Sequence, residues 1–336
     1  MQHTPPATRR QALGWLAAGT AMLTATGRAH AAGWQPSGNI TYNIGVAAGG
    51  SVDLYARGIA QALETHKLVN GQNVVPMNKP GAAGLLVLQA MQKARGDAHQ
   101  LSTFHTGSIA GQVTGVLKAD LREFFPVAMM VEETTLIAVR SDSPLRSATE
   151  MVEKLRKEPE SLKIAVAPLR GLNLHLAIAK PLKLAGVDVS RLTVVPFRSS
   201  GESVTALLGG HIDVVIATSP TVVPQVSAGK LRLLASCAAT RGTGPLAEVP
   251  TWRELGIAAD YVSYNGVLLP PAVDAEQIRF WENALRKVSE SPDWKQLVEK
   301  SGNKPIFKGY VDSHRYLQRE LEETRSLVAA LGAGAR

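Results

Sequence analysis

The sequence predicts an α/β fold in two domains, and three observations carry that expectation. Short strand-like runs alternate with helix-like segments along most of the chain, the pattern of packed α/β layers. A second series of such units starts near Leu136. The 336 residues, 45% of them hydrophobic and 19% charged, are enough for one large or two ordinary cores.

The first 31 residues read as an address. Thr8-Arg9-Arg10 precedes a short apolar stretch, Ala12 to Ala25, and then Ala29-His30-Ala31. A positive head, an apolar middle and small residues at the end are the parts of a secretory signal, with cleavage expected after Ala31 and the mature protein free in the periplasm. The paired arginines leave the twin-arginine and general routes both open. The other reading of this stretch is an amphipathic helix. No cysteine follows it, so no lipid-anchored end is expected.

Ile40, Tyr42 and Ile44 then alternate with Thr41 and Asn43, as one face of a strand does. After Ala47-Ala48-Gly49-Gly50-Ser51, the spacing of Val52, Tyr55, Ile59 and Ala62 predicts a helix that Ser51 caps. Val74-Val75 and Leu101 to Thr106 read as strands, with a helix over Ala82 to Gln92 between them. The second series offers strands at Leu136 to Val139, Lys163 to Ala167, Leu192 to Val195, Ile212 to Ala217 and Leu231 to Ala235. Helices are expected at Leu174 to Leu184 and Glu202 to Leu208. Past Pro250 the character changes to a strand (Tyr261 to Leu268) and long helices, Ala275 to Ser289 and Val311 to Leu331.

Composition and motifs exclude several functions. The net charge is +8, of which Arg9, Arg10 and Arg28 carry three, so the remainder holds +5. That surplus suits small acidic ligands and is too scattered for nucleic acid. Cys237 is the one cysteine, which excludes an internal disulfide and a Cys-rich metal site; it reads as a buried small hydrophobe. The Gly49-Gly50 loop is neither a P-loop nor a G-x-G-x-x-G turn, so it is either an anion site at a helix start or a plain tight turn. No zinc-protease histidine pair and no G-x-S-x-G elbow occurs, and no cofactor is expected. Glu202 with Asp213 as an acid pair is outweighed by surface or capping roles, and His175 reads as structural. Four strand-to-helix corners carry small and polar residues: around Gly49, around Gly81, Arg170-Gly171-Leu172-Asn173, and Phe197-Arg198-Ser199-Ser200-Gly201-Glu202. Ligands of α/β sheets sit beyond strand C-termini, so these corners suggest one polar cleft.

Taken in order, the corners resemble the extracytoplasmic receptors of tripartite tricarboxylate transporters, the Bug or TctC family. The resemblance rests on Ala47 to Asp53 with Ala56-Arg57, on Asn78-Lys79-Pro80-Gly81-Ala82-Ala83-Gly84, and on Val195 to Gly201. It continues through Ala206-Leu207-Leu208-Gly209-Gly210-His211-Ile212-Asp213, Ala228-Gly229-Lys230-Leu231-Arg232 and Val249-Pro250-Thr251-Trp252, and covers roughly Ile40 to Leu331. It implies a Venus-flytrap fold of the periplasmic-binding-protein type, with the ligand cleft between lobes. Domain 1 would comprise residues 33–134 plus 251–336, and domain 2 residues 135–250. The implied ligand is a small carboxylate, the implied partner a membrane permease, the implied state a monomer. From domain 1 the expected binding residues are Ala48, Gly49, Gly50, Ser51, Asp53 and Thr106. From domain 2 they are Arg170, Gly171, Asn173, Phe197, Arg198, Ser199, Ser200, Gly201 and Asp213, with Arg170 or Arg198 as the direct carboxylate partner.

Three departures bear on ligand identity. Gly45-Val46 stands where the family commonly has Pro-Phe. Leu169-Arg170-Gly171-Leu172-Asn173-Leu174-His175 replaces a run of small Gly and Ser residues, and Tyr264-Asn265 replaces a Trp-Arg pair. Two other readings remain: a sensor that presents its loaded state to a histidine kinase, and an enzyme on the same scaffold.

Overall fold

A computed structural model describes residues 33–81, 84–242 and 244–330. The export segment and its cleavage site lie outside the described residues. The chain opens with β1 (Ile40–Ile44), α1 (Ser51–Thr65), β2 (Val74–Asn78), α2 (Leu85–Lys93), β3 (Gln100–His105), α3 (Thr106–Val113) and β4 (Phe125–Glu133). A second set follows: β5 (Thr135–Arg140), α4 (Ala148–Lys157), β6 (Lys163–Val166), α5 (Asn173–Leu184), β7 (Thr193–Pro196), α6 (Ser200–Leu208), β8 (Val214–Thr218), α7 (Ser219–Ser227) and β9 (Leu231–Ser236). The chain ends with β10 (Ser263–Leu269), α8 (Ala275–Glu290), α9 (Pro292–Lys300), β11 (Lys304–Lys308) and α10 (Tyr310–Ala330).

These strands form two sheets, the basis of a two-lobe α/β fold. One has the order β11-β4-β10-β3-β1-β2, the other β7-β6-β8-β5-β9. β1 lies between β2 and β3, parallel to both. The alternation read from its sequence does not survive there, because Asn43 is as buried as its apolar neighbours. Asn43 compensates by donating to the Leu101 carbonyl at 3.1 Å and accepting from Lys79 Nζ at 2.7 Å. Helix α1 buries Tyr55, Ile59, Ala62 and Leu63 along one face. Its N-cap is Gly50, one residue earlier than expected, so Ser51 occupies the first helical turn.

The chain passes from one sheet to the other at the 134/135 boundary expected from the family resemblance. β4 ends at Glu133 and β5 begins at Thr135, so Thr134 alone joins them. Its N–H donates to Asn303 Oδ1 at 2.7 Å, and its carbonyl accepts from the Ser219 amide at 3.1 Å and hydroxyl at 2.9 Å. The return crossing falls later than residue 251. Trp252, Ala259 and Tyr261 belong to the second sheet's core, and the Tyr261 amide bonds the Cys237 carbonyl at 2.8 Å. Helix α10 touches both cores, the first through Leu317 and Leu321, the second through Val328. Cys237 is fully buried and burial pushes its thiol up to about 12, the inert hydrophobe expected of it.

Candidate functional site

Among the described residues, five helices start at one cleft between the two sheets, each just beyond the C-terminal end of a strand. α1 follows β1, α3 follows β3, α5 follows β6, α6 follows β7 and α7 follows β8. The first amides of a helix have no partner within it and carry partial positive charge. Gly50, His105 and Leu172, the N-caps of α1, α3 and α5, supply no side-chain cap. Ser199 caps α6 by accepting from the Glu202 amide at 3.2 Å, which leaves the amides before it to other partners. α7 differs: its first amide bonds Thr134 and its second residue is Pro220, so it offers the cleft Thr218 instead of amides. Several N-termini aimed at one space suit an anion.

The cleft holds a cavity of about 140 Å³. The first lobe lines it with Val46, Ala47, Gly50, Ser51, Val52, His105, Thr106 and Gly107, and with Glu133, Ser263, Tyr264 and Asn265 at its base. The second lobe contributes Ala167, Pro168, Asn173, Leu174, Arg198, Ser199, Ser200 and Thr218. At Gly107 a Cβ would stand 2.8 Å from His105 Nδ1 and 3.0 Å from Asn173 Oδ1, so a glycine lets α3 and α5 approach across the cleft. Burial lowers His105 to about 4, so its ring is neutral near pH 7. Among the described residues no cluster of His, Cys, Asp or Glu is placed to hold a metal ion, and no helix is long and apolar enough to cross a membrane.

Of the residues expected from sequence, the structure brings Gly50, Ser51, Thr106, Asn173, Arg198, Ser199 and Ser200 to this cleft. Thr106 has little hydrogen-bonding capacity left, since its hydroxyl accepts from the Tyr264 amide at 2.9 Å and pairs with the Tyr316 hydroxyl at 2.8 Å. Arg198 stands at the rim with its side chain 92% exposed and paired to Glu202 at 3.2 Å.

The others lie elsewhere. Ala48 and Gly49 are exposed on the outside of the corner, where Gly49 takes a φ of +89 that favours glycine. Arg170 is exposed and away from the cavity wall, and Gly171 turns behind it with its amide on His175 Nδ1 at 2.9 Å. Phe197 packs on the second lobe's core, and Gly201 sits one step inside α6. Asp213 precedes β8 at the strand end remote from the cleft, where its carboxylate accepts from the Lys163 amide at 2.7 Å.

Asp53 is a brace rather than a lining residue. Its carboxylate accepts from the Gly49 amide at 3.1 Å, Arg57 Nε at 3.0 Å and Asn78 Nδ2 at 2.8 Å, tying the corner to β2. Burial alone would raise its pKa, but the bonds from Arg57, Asn78 and Gly49 outweigh it and hold the carboxyl below the usual aspartate range. A depressed native pKa means the stabilisation is full above the ordinary aspartate value near 4 and fades as pH falls through the native one. Asp53→Ala is therefore expected to cost about 2 kcal/mol near pH 7 and clearly less below about pH 3, read by urea denaturation at both pH values. An equal cost at both would show that packing, not charge, holds the corner.

Glu133, Ser263 and Asn265 also line the cleft and are not among the residues expected from sequence, although Tyr264-Asn265 is one of the departures from the family pattern. Glu133 had one signal: it interrupts the apolar run from Phe124 to Val139 together with Glu132 and the two threonines after it.

Residues 56–333 match the tripartite tricarboxylate transporter family receptor, TctC. Among individual relatives, the "UPF0065 protein in gbd 5′ region" of Cupriavidus necator is 28% identical over 301 residues, 88% of each chain. MatC of Rhodopseudomonas palustris, solved with malate, superposes with a TM-score of 0.77 at 24% identity over 87% of this chain and 99% of that one. A second R. palustris protein, solved with adipate, gives a TM-score of 0.79 at 24% identity over 88% and 98%. At that identity the two solved structures establish the fold alone. The family match spans most of the chain, which therefore belongs to the tripartite tricarboxylate transporter receptors, the Bug/TctC family, and is a solute-binding receptor rather than an enzyme.

Proposed function

We propose that this receptor captures a small carboxylate in the periplasm and hands it to the permease of a tripartite transporter. The observation that carries the reading is the convergence of helix N-termini from both lobes on one cleft. Amides of α1 and α3 on one side, and of α5 and α6 on the other, would share the oxygens of a carboxylate. Malate and adipate, found with two proteins of the same fold, fit this chemistry. Closure of the lobes around the acid would order the cleft and create the surface that a permease reads. Export through the segment ending at Ala31 and a monomeric state complete the proposal.

Protein recovered from the periplasmic fraction, with Ala32 as its first residue, is the material for the test. A thermal-shift screen over mono-, di- and tricarboxylates is expected to find an acid that raises the melting temperature. At a hundred times its Kd such a ligand adds about 2.7 kcal/mol to the native state. Neutral sugars and simple amines should leave the transition unmoved. A screen in which no carboxylate stabilises the protein at millimolar concentration would overturn the proposal.

A further inference from the structure

The base of the cleft holds an acid that a site built only for anions does not need. Glu133 closes β4, Ser263 stands directly opposite it on β10, and Asn265 follows two residues along the same strand. All three line the cavity, and none is more than 4% exposed. Asn265 Nδ2 donates to Glu133 Oε2 at 3.1 Å. Glu133 Oε1, Asn265 Oδ1 and Ser263 Oγ have no hydrogen-bond partner. A carboxylate oxygen and an amide oxygen accept only, and a serine hydroxyl accepts as readily as it donates. The base therefore demands donors, whereas a carboxylate brings none.

The demand is also one of charge. Burial outweighs the hydrogen bonds from Ser51 and Asn265 and holds the Glu133 carboxyl above the usual glutamate range, so its ionised form calls for an opposite charge beside it. The N-termini of α1 and α3, on the same side of the cleft, work against that shift. A buried carboxylate is tolerated when an opposite charge and further hydrogen bonds meet it. An ammonium group offers both, with a positive charge and three N–H donors for three unmet atoms. We infer that the ligand is a carboxylate that also carries an ammonium group, its carboxylate at the helix N-termini and its ammonium held by Glu133 Oε1, Asn265 Oδ1 and Ser263 Oγ. This rests on the carboxylate-receptor reading and narrows it to amino acids, with Glu133 as the residue that selects them.

Calorimetry at pH 7 on the mature protein with matched triplets of acids tests it: aspartate, malate and succinate; glutamate, 2-hydroxyglutarate and glutarate; phenylalanine, phenyllactate and phenylpropionate. In whichever triplet fits the cleft, the amino member is expected to bind at least tenfold tighter than the hydroxy and unsubstituted members. Glu133→Gln should shrink that preference to about twofold, chiefly by weakening the amino member. Should Glu133→Gln fail to fold by circular dichroism, the wild-type ranking still decides. Hydroxy or unsubstituted acids binding as tightly as their amino partners would overturn the inference and leave the carboxylate reading standing. A folded Glu133→Gln that keeps the tenfold preference would overturn the role of Glu133. Failure of every triplet, together with every acid of the wider screen, would remove the carboxylate reading and this inference with it.

Discussion

Gly266→Ala is expected to remove about 4 kcal/mol or more of stability, enough to leave the first lobe unfolded under mild denaturant. Gly266 lies in β10, between β3 and β4, at a point where the register with β4 shifts. A Cβ there would stand 2.0 Å from the Ala128 carbonyl oxygen and 2.9 Å from the Met129 Cα. Both are backbone atoms of the neighbouring strand, so no side chain can swing away to make room. Ordinary overpacking costs about 1–3 kcal/mol because rotamers yield, and here the strand pairing itself must yield. The site is affected too, since Ser263 and Asn265 ride on the same strand. Gly201→Ala is the control. Its Cβ would come no closer than 3.8 Å to Ser199 Oγ, and alanine in the first turn of α6 should be neutral or stabilising by about 0.5–1 kcal/mol. Urea denaturation of both variants decides the matter. A Gly266→Ala protein with an unchanged midpoint would mean that β4 and β10 are not paired as described.

The corners were legible in the sequence because each strand there ends in a cluster of Gly, Ser or Pro, and a strand that stops at such a cluster announces its own boundary. The family motifs gave the order of those corners and hence the two-lobe fold. They did not say which residues of a motif face the ligand. Asp213 and Phe197 belong to motifs that flank the cleft's strands, but Asp213 fastens the start of β8 to β6 and Phe197 plugs a core. Helix α3 was not seen because Thr106-Gly107-Ser108-Ile109-Ala110-Gly111 is made mostly of small residues and shows no apolar stripe; its small residues are buried on several sides. Of the adjoining β4 and β5, only β5 is read from the sequence, as Leu136 to Val139, because the apolar run Phe124 to Val131 has neither the alternation of a half-buried strand nor a turn cluster to close it. Glu133 escapes notice because an acid beside another acid at a strand end looks like a surface charge.

Gly50→Val is expected to weaken ligand binding at least a hundredfold while the protein stays folded. Gly50 takes extended backbone angles, φ −93 and ψ 173, that valine also adopts, and a Cβ there would meet nothing within 4 Å. The open space is the cleft itself, which Gly50 lines. Losing glycine at this N-cap costs the fold roughly 1 kcal/mol. The isopropyl group, however, would fill ligand space and cover the first amides of α1. Each hydrogen bond to a charged group is worth about 1.5–3 kcal/mol, so losing one or two of them accounts for a hundredfold or more. The arginines should matter less than sequence reasoning held. Arg198 is 92% exposed and already paired with Glu202, and exposed pairs contribute about 0–1 kcal/mol. Arg198→Ala should then cost a few-fold, chiefly in association rate and only at low salt. Arg170 lies off the cavity wall, and Arg170→Ala should bind within about twofold of wild type. Calorimetry on the three variants ranks them directly. A large loss in Arg198→Ala beside normal binding in Gly50→Val would place the carboxylate at the rim, held by a guanidinium and not by helix N-termini.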